Sequence, residues 1–205
     1  MNLAVLVSGR GSNLQAIIDS IEKGYLKARI SVVVSDVGNA YALTRATKHG
    51  IKAVFVDPGS FPSKESYERE VLAVLRKHDI DLVLLAGYMR IIGKSLLSAY
   101  KNHILNIHPA LLPAFPGLHA QKQAFEHGVK VAGCTVHFVD EMLDGGPIIM
   151  QRCVEVKEND TDETLAERIL EQEHKIYPEA VKLFVENRLI IDGRKVKILR
   201  SQKKE

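Results

Sequence analysis

Three polar side chains in the sequence have the types and spacing needed to act on a carbonyl group. Asn106 and His108 lie two residues apart at the end of an apolar run, and residues two apart on an extended segment point to the same side. An amide and an imidazole together can donate hydrogen bonds to an oxygen that becomes negatively charged. Asp144, in a glycine-containing turn, can stabilise a protonated imidazole. A core histidine and an ordinary turn aspartate are the structural alternatives.

A metal site is a second interpretation of this region. His108, His137 and Asp144 could form a two-histidine, one-carboxylate site. No compact ligand motif such as H-E-x-x-H supports it, so no metal is expected. A serine hydrolase is not indicated either, because no G-x-S-x-G motif occurs. Cys134 and Cys153 lack C-x-x-C spacing, and we expect both to be buried thiols.

A glycine-rich segment near the N-terminus is a candidate phosphate site. Gly9, Gly11, Ser12 and Asn13 stand between a predicted strand and a predicted helix. Backbone N–H groups at a helix start bind anions, and Ser12 and Asn13 are suitable capping side chains. The dinucleotide fingerprint would need glycine at Leu14, and no Walker motif follows. The segment therefore favours a phosphate monoester over NAD or ATP, and a capped turn without a ligand is the alternative.

The first half of the sequence predicts the elements that position these residues. Apolar runs at 3–7, 30–34, 53–56, 81–85 and 104–107 alternate with helical patterns after 13, at 40–49 and at 64–78. Continuous apolar strands and intervening helices are typical of βαβ units around a parallel sheet. Ligands bind such sheets beyond the carboxyl ends of the strands. The phosphate segment, residues 86–92 and the Asn106–His108 pair would all stand there.

The second half has a different pattern. Residues 131–139 and 147–156 predict an antiparallel pair around the turn that contains Asp144. Residues 162–185 predict a long helix with Thr161 or Asp162 as its cap. Residues 189–191 and 196–198 flank a predicted two-residue turn, Asp192-Gly193. We expect one domain over 1–205, with halves 1–100 and 101–205. Its predicted class is α/β, a Rossmann-like, mostly parallel sheet flanked by helices with antiparallel additions in the C-terminal half.

Composition excludes several classes of protein. The chain has 205 residues, of which 46% are hydrophobic and 26% charged, and a net charge of +3. These values argue against a disordered chain, and no apolar run approaches the ~20 residues of a membrane span. The N-terminus is typical of a first strand and not of a signal peptide, so a cytoplasmic location is expected. A nucleic-acid-binding tail is a minor alternative, because basic residues gather at the end of the chain: Arg194, Lys195, Lys197, Arg200, Lys203 and Lys204.

Four motifs together carry a resemblance to a known family. They are Gly11-Ser12-Asn13, Asn106-Ile107-His108-Pro109, Leu111-Leu112-Pro113 and Leu143-Asp144-Gly145-Gly146. On these motifs the chain resembles the phosphoribosylglycinamide formyltransferases, folate-dependent enzymes of de novo purine synthesis, from the first strand to about Pro178. The resemblance implies the formyltransferase fold. It also implies transfer of the formyl group of 10-formyltetrahydrofolate to the amine of glycinamide ribonucleotide, without a metal, a nucleic acid or a membrane. Monomer and homodimer both stay open.

The resemblance also implies roles for individual residues. The catalytic residues would be Asn106, His108 and Asp144. The substrate would be held by Gly11, Ser12 and Asn13 at its phosphate, and by Leu170, Glu171, Gln172 and Glu173, with Glu173 at the ribose hydroxyls. The folate would contact Lys64, Met89, Arg90, Ile91, Ile92, Asn106, Asp140, Glu141, Met142, Leu143 and Asp144, with Arg90 at its glutamate carboxylates.

Two positions depart from the family pattern. Lys64 stands where relatives have arginine, which keeps the charge but loses the bidentate fork. Thr135 stands where some members have serine, and the hydroxyl is kept. The nearest alternative activities are a formyltetrahydrofolate hydrolase and another folate-dependent formyltransferase, although a methionyl-tRNA formyltransferase needs a further RNA-binding domain. A nucleotide-dependent oxidoreductase that uses Asp36 is disfavoured by Leu14.

Overall fold

A nine-stranded sheet forms the centre of the protein, which a computed structural model describes over residues 1–200. The strands are β1 (Asn2–Val7), β2 (Arg29–Ser35), β3 (Lys52–Phe55), β4 (Leu82–Leu85), β5 (Ile104–His108), β6 (Val131–Phe138), β7 (Ile148–Glu155), β8 (Leu189–Asp192) and β9 (Lys195–Ile198). Their order is β3-β2-β1-β4-β5-β6-β7-β9-β8. The first five strands are parallel, and β6 pairs antiparallel with both β5 and β7. The predicted α/β class, with a mostly parallel sheet and antiparallel additions, is confirmed.

Helices cover both faces of the sheet. They are α1 (Ser12–Glu22), α2 (Tyr41–Lys48), α3 (Lys64–Lys77), α4 (Lys94–Ala99), α5 (Ala120–His127) and α6 (Asp162–Val185). The sequence predicted all of these except α4 and α5. The α4 helix has six residues, too few for an apolar periodicity, and α5 buries only Ala120 and Ala124. Neither helix has a capping side chain that would mark its start.

The strand residues divide between two cores, one on each face of the sheet. In β1, Leu3, Val5 and Val7 face the core formed with α1, α2 and α6. Ala4 and Leu6 face the second core, which is formed with α3 and α4. All five side chains are fully buried. The continuous apolar runs therefore arise because both faces of the parallel strands are covered.

The long helix α6 connects the two halves of the chain. Thr161 caps it, since its side chain accepts from the backbone N–H of Thr164. The helix packs on α1, β6 and β7. The hydroxyl of the fully buried Tyr177 lies 2.9 Å from the carbonyl oxygen of Leu85 and 3.1 Å from that of Leu105. This contact places α6 against the last residue of β4 and the second residue of β5.

The hairpin β8–β9 differs from the prediction by one residue. Asp192 pairs with Lys195, so the turn is Gly193-Arg194 and not Asp192-Gly193. Gly193 has φ +59°, in the left-handed region that favours glycine. The Lys197 ammonium forms an ion pair with the Asp192 carboxylate within the hairpin. Much of the basic C-terminus is thus part of the fold, while Lys203 and Lys204 lie outside the described residues.

The two cysteines have different surroundings. Cys134 is buried and Cys153 is exposed, so the prediction of two buried thiols is wrong for Cys153. The strand register explains the difference, since Cys134 pairs with Arg152 while Cys153 pairs with Gly133. Neighbouring register positions point to opposite faces of a sheet. Over residues 1–200 no helix combines the length and the hydropathy needed to cross a membrane.

Candidate active site

The phosphate segment forms a tight turn at the start of α1. Gly11 is the residue before the helix and has φ +71°. A Cβ atom on Gly11 would lie 2.6 Å from the Cβ of Ala42 in α2. No side chain caps this end, so the prediction that Ser12 and Asn13 act as caps is wrong, and both residues belong to the helix itself. The first N–H groups of α1 are consequently available to an anion.

Asn13 is committed to a contact with α6. Its Nδ2 donates a hydrogen bond of 2.7 Å to Oε2 of Glu173, which lies 160 residues away in the sequence. Burial raises the pKa of Glu173, and the Asn13 hydrogen bond opposes that shift. Asn13 Oδ1 is buried and has no hydrogen-bond partner within residues 1–200. The structure therefore places Glu173 directly beside the phosphate segment.

The other predicted residues on α6 have different environments. Leu170 and Gln172 are half-buried, and Glu171 is exposed. Four consecutive helical residues cannot all face one side, because each is rotated about 100° from the last. Glu173 is the one of the four that reaches the Gly11–Asn13 segment by a hydrogen bond in the described part of the chain.

The three predicted catalytic side chains meet at the end of β5. Nδ1 of His108 lies 3.4 Å from Oδ2 of Asp144, and Nδ2 of Asn106 lies 3.4 Å from the other carboxylate oxygen. His108 is 4% exposed. Asp144 stands in the connection between β6 and β7 and has φ +49°. An amide, an imidazole and a carboxylate therefore converge at the carboxyl end of a parallel strand.

Backbone groups of the segment after β5 hold two of these side chains. Nε2 of His108 lies 2.8 Å from the carbonyl oxygen of Phe115, and the N–H of Gly117 donates to Oδ2 of Asp144 at 2.8 Å. A carbonyl oxygen can only accept, so Nε2 carries a proton. Nδ1 of His108 then becomes a donor only when the ring is protonated. The base of this segment is fixed by Thr135, whose hydroxyl donates to the carbonyl oxygen of Ala110 at 2.7 Å.

His137 contacts two of the three predicted catalytic side chains. Its Nε2 lies 3.1 Å from Nδ2 of Asn106 and 3.7 Å from Oδ1 of Asp144. Burial lowers the pKa of His137, so its ring is neutral near pH 7. Over residues 1–200 no three histidine, cysteine or acidic side chains are arranged to hold a metal ion. The sequence singled out His137 only as a metal ligand and did not predict this contact.

The residues predicted to line the folate site divide into exposed and buried ones. Met89 and Ile91 are exposed, and the Arg90 guanidinium lies 5.0 Å from the centre of the Tyr67 ring. Ile92 is buried in the core shared with α3. Nζ of Lys64 lies 3.9 Å from a carboxylate oxygen of Glu68.

The turn from 140 to 146 is held by contacts that the sequence did not predict. Asp140 accepts from the backbone N–H of Met142 at 2.9 Å. The guanidinium of Arg194 donates to the carbonyl oxygen of Gly145 at 2.7 Å. A Cβ on Gly146 would collide with the carbonyl oxygen of Phe138, so only glycine fits there. Glu141, Met142 and Leu143 are exposed at the tip of this turn.

Comparisons with known proteins match this chain to one family. Residues 1–181 match the formyl transferase family. The chain is 47% identical over 179 residues to a phosphoribosylglycinamide formyltransferase of Bacillus subtilis, covering 87% of this chain and 92% of that one. It is 43% identical over 189 residues to the Escherichia coli protein of the same name, covering 92% and 89% of the two chains.

The fold also matches solved structures of related enzymes. The fold matches glycinamide ribonucleotide transformylase 1 from Symbiobacterium toebii with a TM-score of 0.96 and 54% identity, covering 98% of this chain and 94% of that one. A formyltetrahydrofolate deformylase from Pseudomonas syringae matches with a TM-score of 0.90 and 28% identity, covering 97% of this chain and 66% of that one.

Proposed function

This chain belongs to the formyl transferase family, and from that premise we propose how its cleft carries out the reaction. The protein transfers the formyl group of 10-formyltetrahydrofolate to the amine of glycinamide ribonucleotide in purine biosynthesis, which releases tetrahydrofolate and N-formylglycinamide ribonucleotide. The observation that carries the mechanism is the meeting of Asn106, His108 and Asp144 at the end of β5.

The chemical step is attack of the neutral substrate amine on the formyl carbon. A tetrahedral species forms, and its oxygen carries the negative charge. Protonated His108 donates from Nδ1 to this oxygen, because its Nε2 is already held by the Phe115 carbonyl. The Asn106 amide supplies a second donor. One such donor is worth about 2.7–4 kcal/mol of the barrier.

Asp144 stabilises the charged imidazole and helps to move the proton. Its Oδ2 lies 3.4 Å from Nδ1 of His108 and is held by the N–H of Gly117. As the tetrahedral species collapses, the attacking nitrogen loses a proton and the departing folate nitrogen gains one. The Asp144 carboxylate is placed to accept and pass on this proton, directly or through water. No covalent bond to the protein is needed.

The substrate groups fit the two ends of the cleft. The phosphate of the nucleotide would accept from the first N–H groups of α1, and Glu173 would accept from ribose hydroxyls. Asn13 contributes its backbone N–H to the phosphate, because its Nδ2 already donates to Glu173. At the folate end, Arg90 is exposed, and Lys64 lies on a neighbouring element with a compatible charge.

We also propose the finer assignments of domain, partners and location. Residues 1–100 are the nucleotide-binding half and 101–205 the folate-binding and catalytic half of one domain, although Glu173 of the second half completes the phosphate site of the first. The protein acts on small molecules in the cytoplasm without a nucleic acid. In support, Arg194 and Lys197 of the basic C-terminus already bind Gly145 and Asp192.

A single assay tests the activity against its nearest alternative. The protein is incubated with 10-formyltetrahydrofolate, with and without glycinamide ribonucleotide, and tetrahydrofolate release is followed. We expect release only when the nucleotide is present. Release without the nucleotide would show a hydrolase instead, and no release in either case would refute folate-dependent formyl transfer. The uncapped start of α1 and the buried Glu173 favour the transferase, since water as the acceptor needs no phosphate site.

A further inference from the structure

His137 lies within the catalytic cluster, and the mechanism above gives it no role. We propose that His137 is a positioning residue that fixes the orientation of the Asn106 amide and leaves one N–H of that amide for the formyl oxygen. The inference rests on the proposed function, because the formyl oxygen is the group that the free N–H would meet.

The hydrogen bonds of His137 determine which ring nitrogen carries the proton. Nδ1 lies 2.8 Å from the carbonyl oxygen of Phe138, which can only accept, so Nδ1 carries the proton. Burial lowers the pKa of His137, and the nearby His108 acts in the same direction, while the Phe138 carbonyl, Asp144 and Asp140 oppose them. The net direction leaves the ring neutral near pH 7. Nε2 therefore presents a lone pair.

That lone pair decides how the Asn106 amide is turned. Nδ2 of Asn106 lies 3.1 Å from Nε2 of His137 and 3.4 Å from Oδ1 of Asp144. Both neighbours accept, so the amide must turn its NH₂ group towards them. In the reverse orientation the amide oxygen would face a lone pair and a carboxylate oxygen, which is repulsive.

The two N–H bonds of Asn106 then have different tasks. One is held by His137 at ordinary hydrogen-bond length. The other points towards Asp144 over 3.4 Å, a long contact that is readily exchanged for a stronger one. Negative charge on the formyl oxygen provides the stronger acceptor as the transition state forms. His137 thus keeps the donor aimed before the charge develops.

The fold holds His137 rigidly in this position. It lies on β6 directly opposite Asn106 on β5, in the antiparallel pair that joins the two strands. Its side chain is 2% exposed, so the ring has no room to swing away from the amide. A support on a paired, buried strand position is more exact than one on a loop.

Three substitutions at this position separate the proposed role from simple packing. Gln places a carbonyl oxygen near the position of Nε2, Asn places one near Nδ1, and Leu fills space without an acceptor. We expect His137→Gln to keep kcat within about threefold of the wild type. His137→Asn and His137→Leu should lower kcat by about tenfold to a hundredfold, below the 10²–10³ for loss of a whole donor. The KM for glycinamide ribonucleotide should stay within about twofold in all three.

A double-mutant cycle tests whether His137 acts through Asn106. In an Asn106→Ala background, His137→Leu should change kcat by less than about twofold, because the amide to be oriented is gone. An equal loss in both backgrounds would overturn the proposal. So would a Gln variant as slow as the Leu variant, provided that both show wild-type thermal unfolding.

Nitrogen-15 NMR of the wild-type protein tests the proposal without any substitution. We expect a His137 ring protonated at Nδ1 and unprotonated at Nε2 from about pH 7 to 8. A proton on Nε2 would overturn the inference even if every variant failed to fold. The wild-type assay keeps the two ideas apart: absence of formyl transfer refutes the function, whereas normal transfer by folded His137→Leu refutes only the role of His137.

Discussion

Replacement of Gly11 by alanine is predicted to damage the phosphate site through one interatomic contact. The new Cβ would lie 2.6 Å from the Cβ of Ala42 and 2.9 Å from its Cα. In addition, alanine at φ +71° costs about 1–2 kcal/mol. Forcing an extra carbon into a packed contact costs about 1–3 kcal/mol more. The free energy of unfolding should therefore fall by about 2–5 kcal/mol, with the strain concentrated where the loop meets α2.

Gly24 offers a matched control at the other end of α1. It has φ +72°, and a Cβ there would meet nothing within 4 Å. Gly24→Ala thus carries the backbone cost of about 1–2 kcal/mol without the collision. The difference between the two variants measures the contact with Ala42. Adding Ala42→Gly to Gly11→Ala should restore part of the loss, because it removes the nearest atom.

Urea unfolding and steady-state kinetics report the two consequences separately. We expect Gly11→Ala to raise the KM for glycinamide ribonucleotide about tenfold or more, since the N–H groups of α1 move with the loop. The KM for 10-formyltetrahydrofolate should stay within about twofold, because its predicted contacts lie at the other end of the cleft. Equal stability losses for the two glycine variants, together with an unchanged KM for the nucleotide, would refute this reasoning.

Three other measurements test the site. Asp144→Asn should lower kcat by about 10²-fold or more with little change in nucleotide affinity, measured by titration calorimetry, and a near-normal kcat would contradict its role. Burial raises the pKa of the Glu173 carboxyl above its ordinary 4.5, so the folded protein binds the carboxyl proton more tightly than the unfolded chain does. The free energy of unfolding of the wild type should therefore fall as the pH rises above 4.5. Glu173→Gln should remove that part of the fall in urea unfolding from about pH 4 to 7, and identical profiles would contradict it. Exhaustive chelation should leave formyl transfer intact, and a loss reversed by one metal ion would restore the interpretation of His108 and His137 as ligands.

The parallel half of the fold could be predicted because its strands carry a strong local signal. The run Leu82–Leu85 is buried on both faces, and such a run has few alternatives to a central parallel strand. The helices α4 and α5 escaped prediction, since short helices with one or two buried residues leave almost no periodicity. Their stability comes from contacts with distant elements, which local propensity does not record.

In the candidate site, the side chains that meet at the end of β5 were easier to predict than the groups that hold them. Asn106 and His108 were predictable from their spacing on a strand. The contacts of the Phe115 carbonyl and the Gly117 N–H were not predictable, because every residue carries these backbone groups and the residue type does not show which of them are used. Arg194 seemed to belong to a basic tail, and only the pairing of β9 with β7 brings it to Gly145.

The contacts of α6 have a consequence for the order in which the chain folds during synthesis. Strands β4 and β5 leave the ribosome long before Tyr177, whose hydroxyl donates to carbonyl oxygens in both strands. Asn13 likewise cannot form its hydrogen bond until Glu173, 160 residues later, has been synthesised. A nascent chain that stops before α6 would expose the apolar face that α1 shares with this helix. Chaperone capture and protease sensitivity of stalled chains should therefore drop sharply once the α6 segment has emerged.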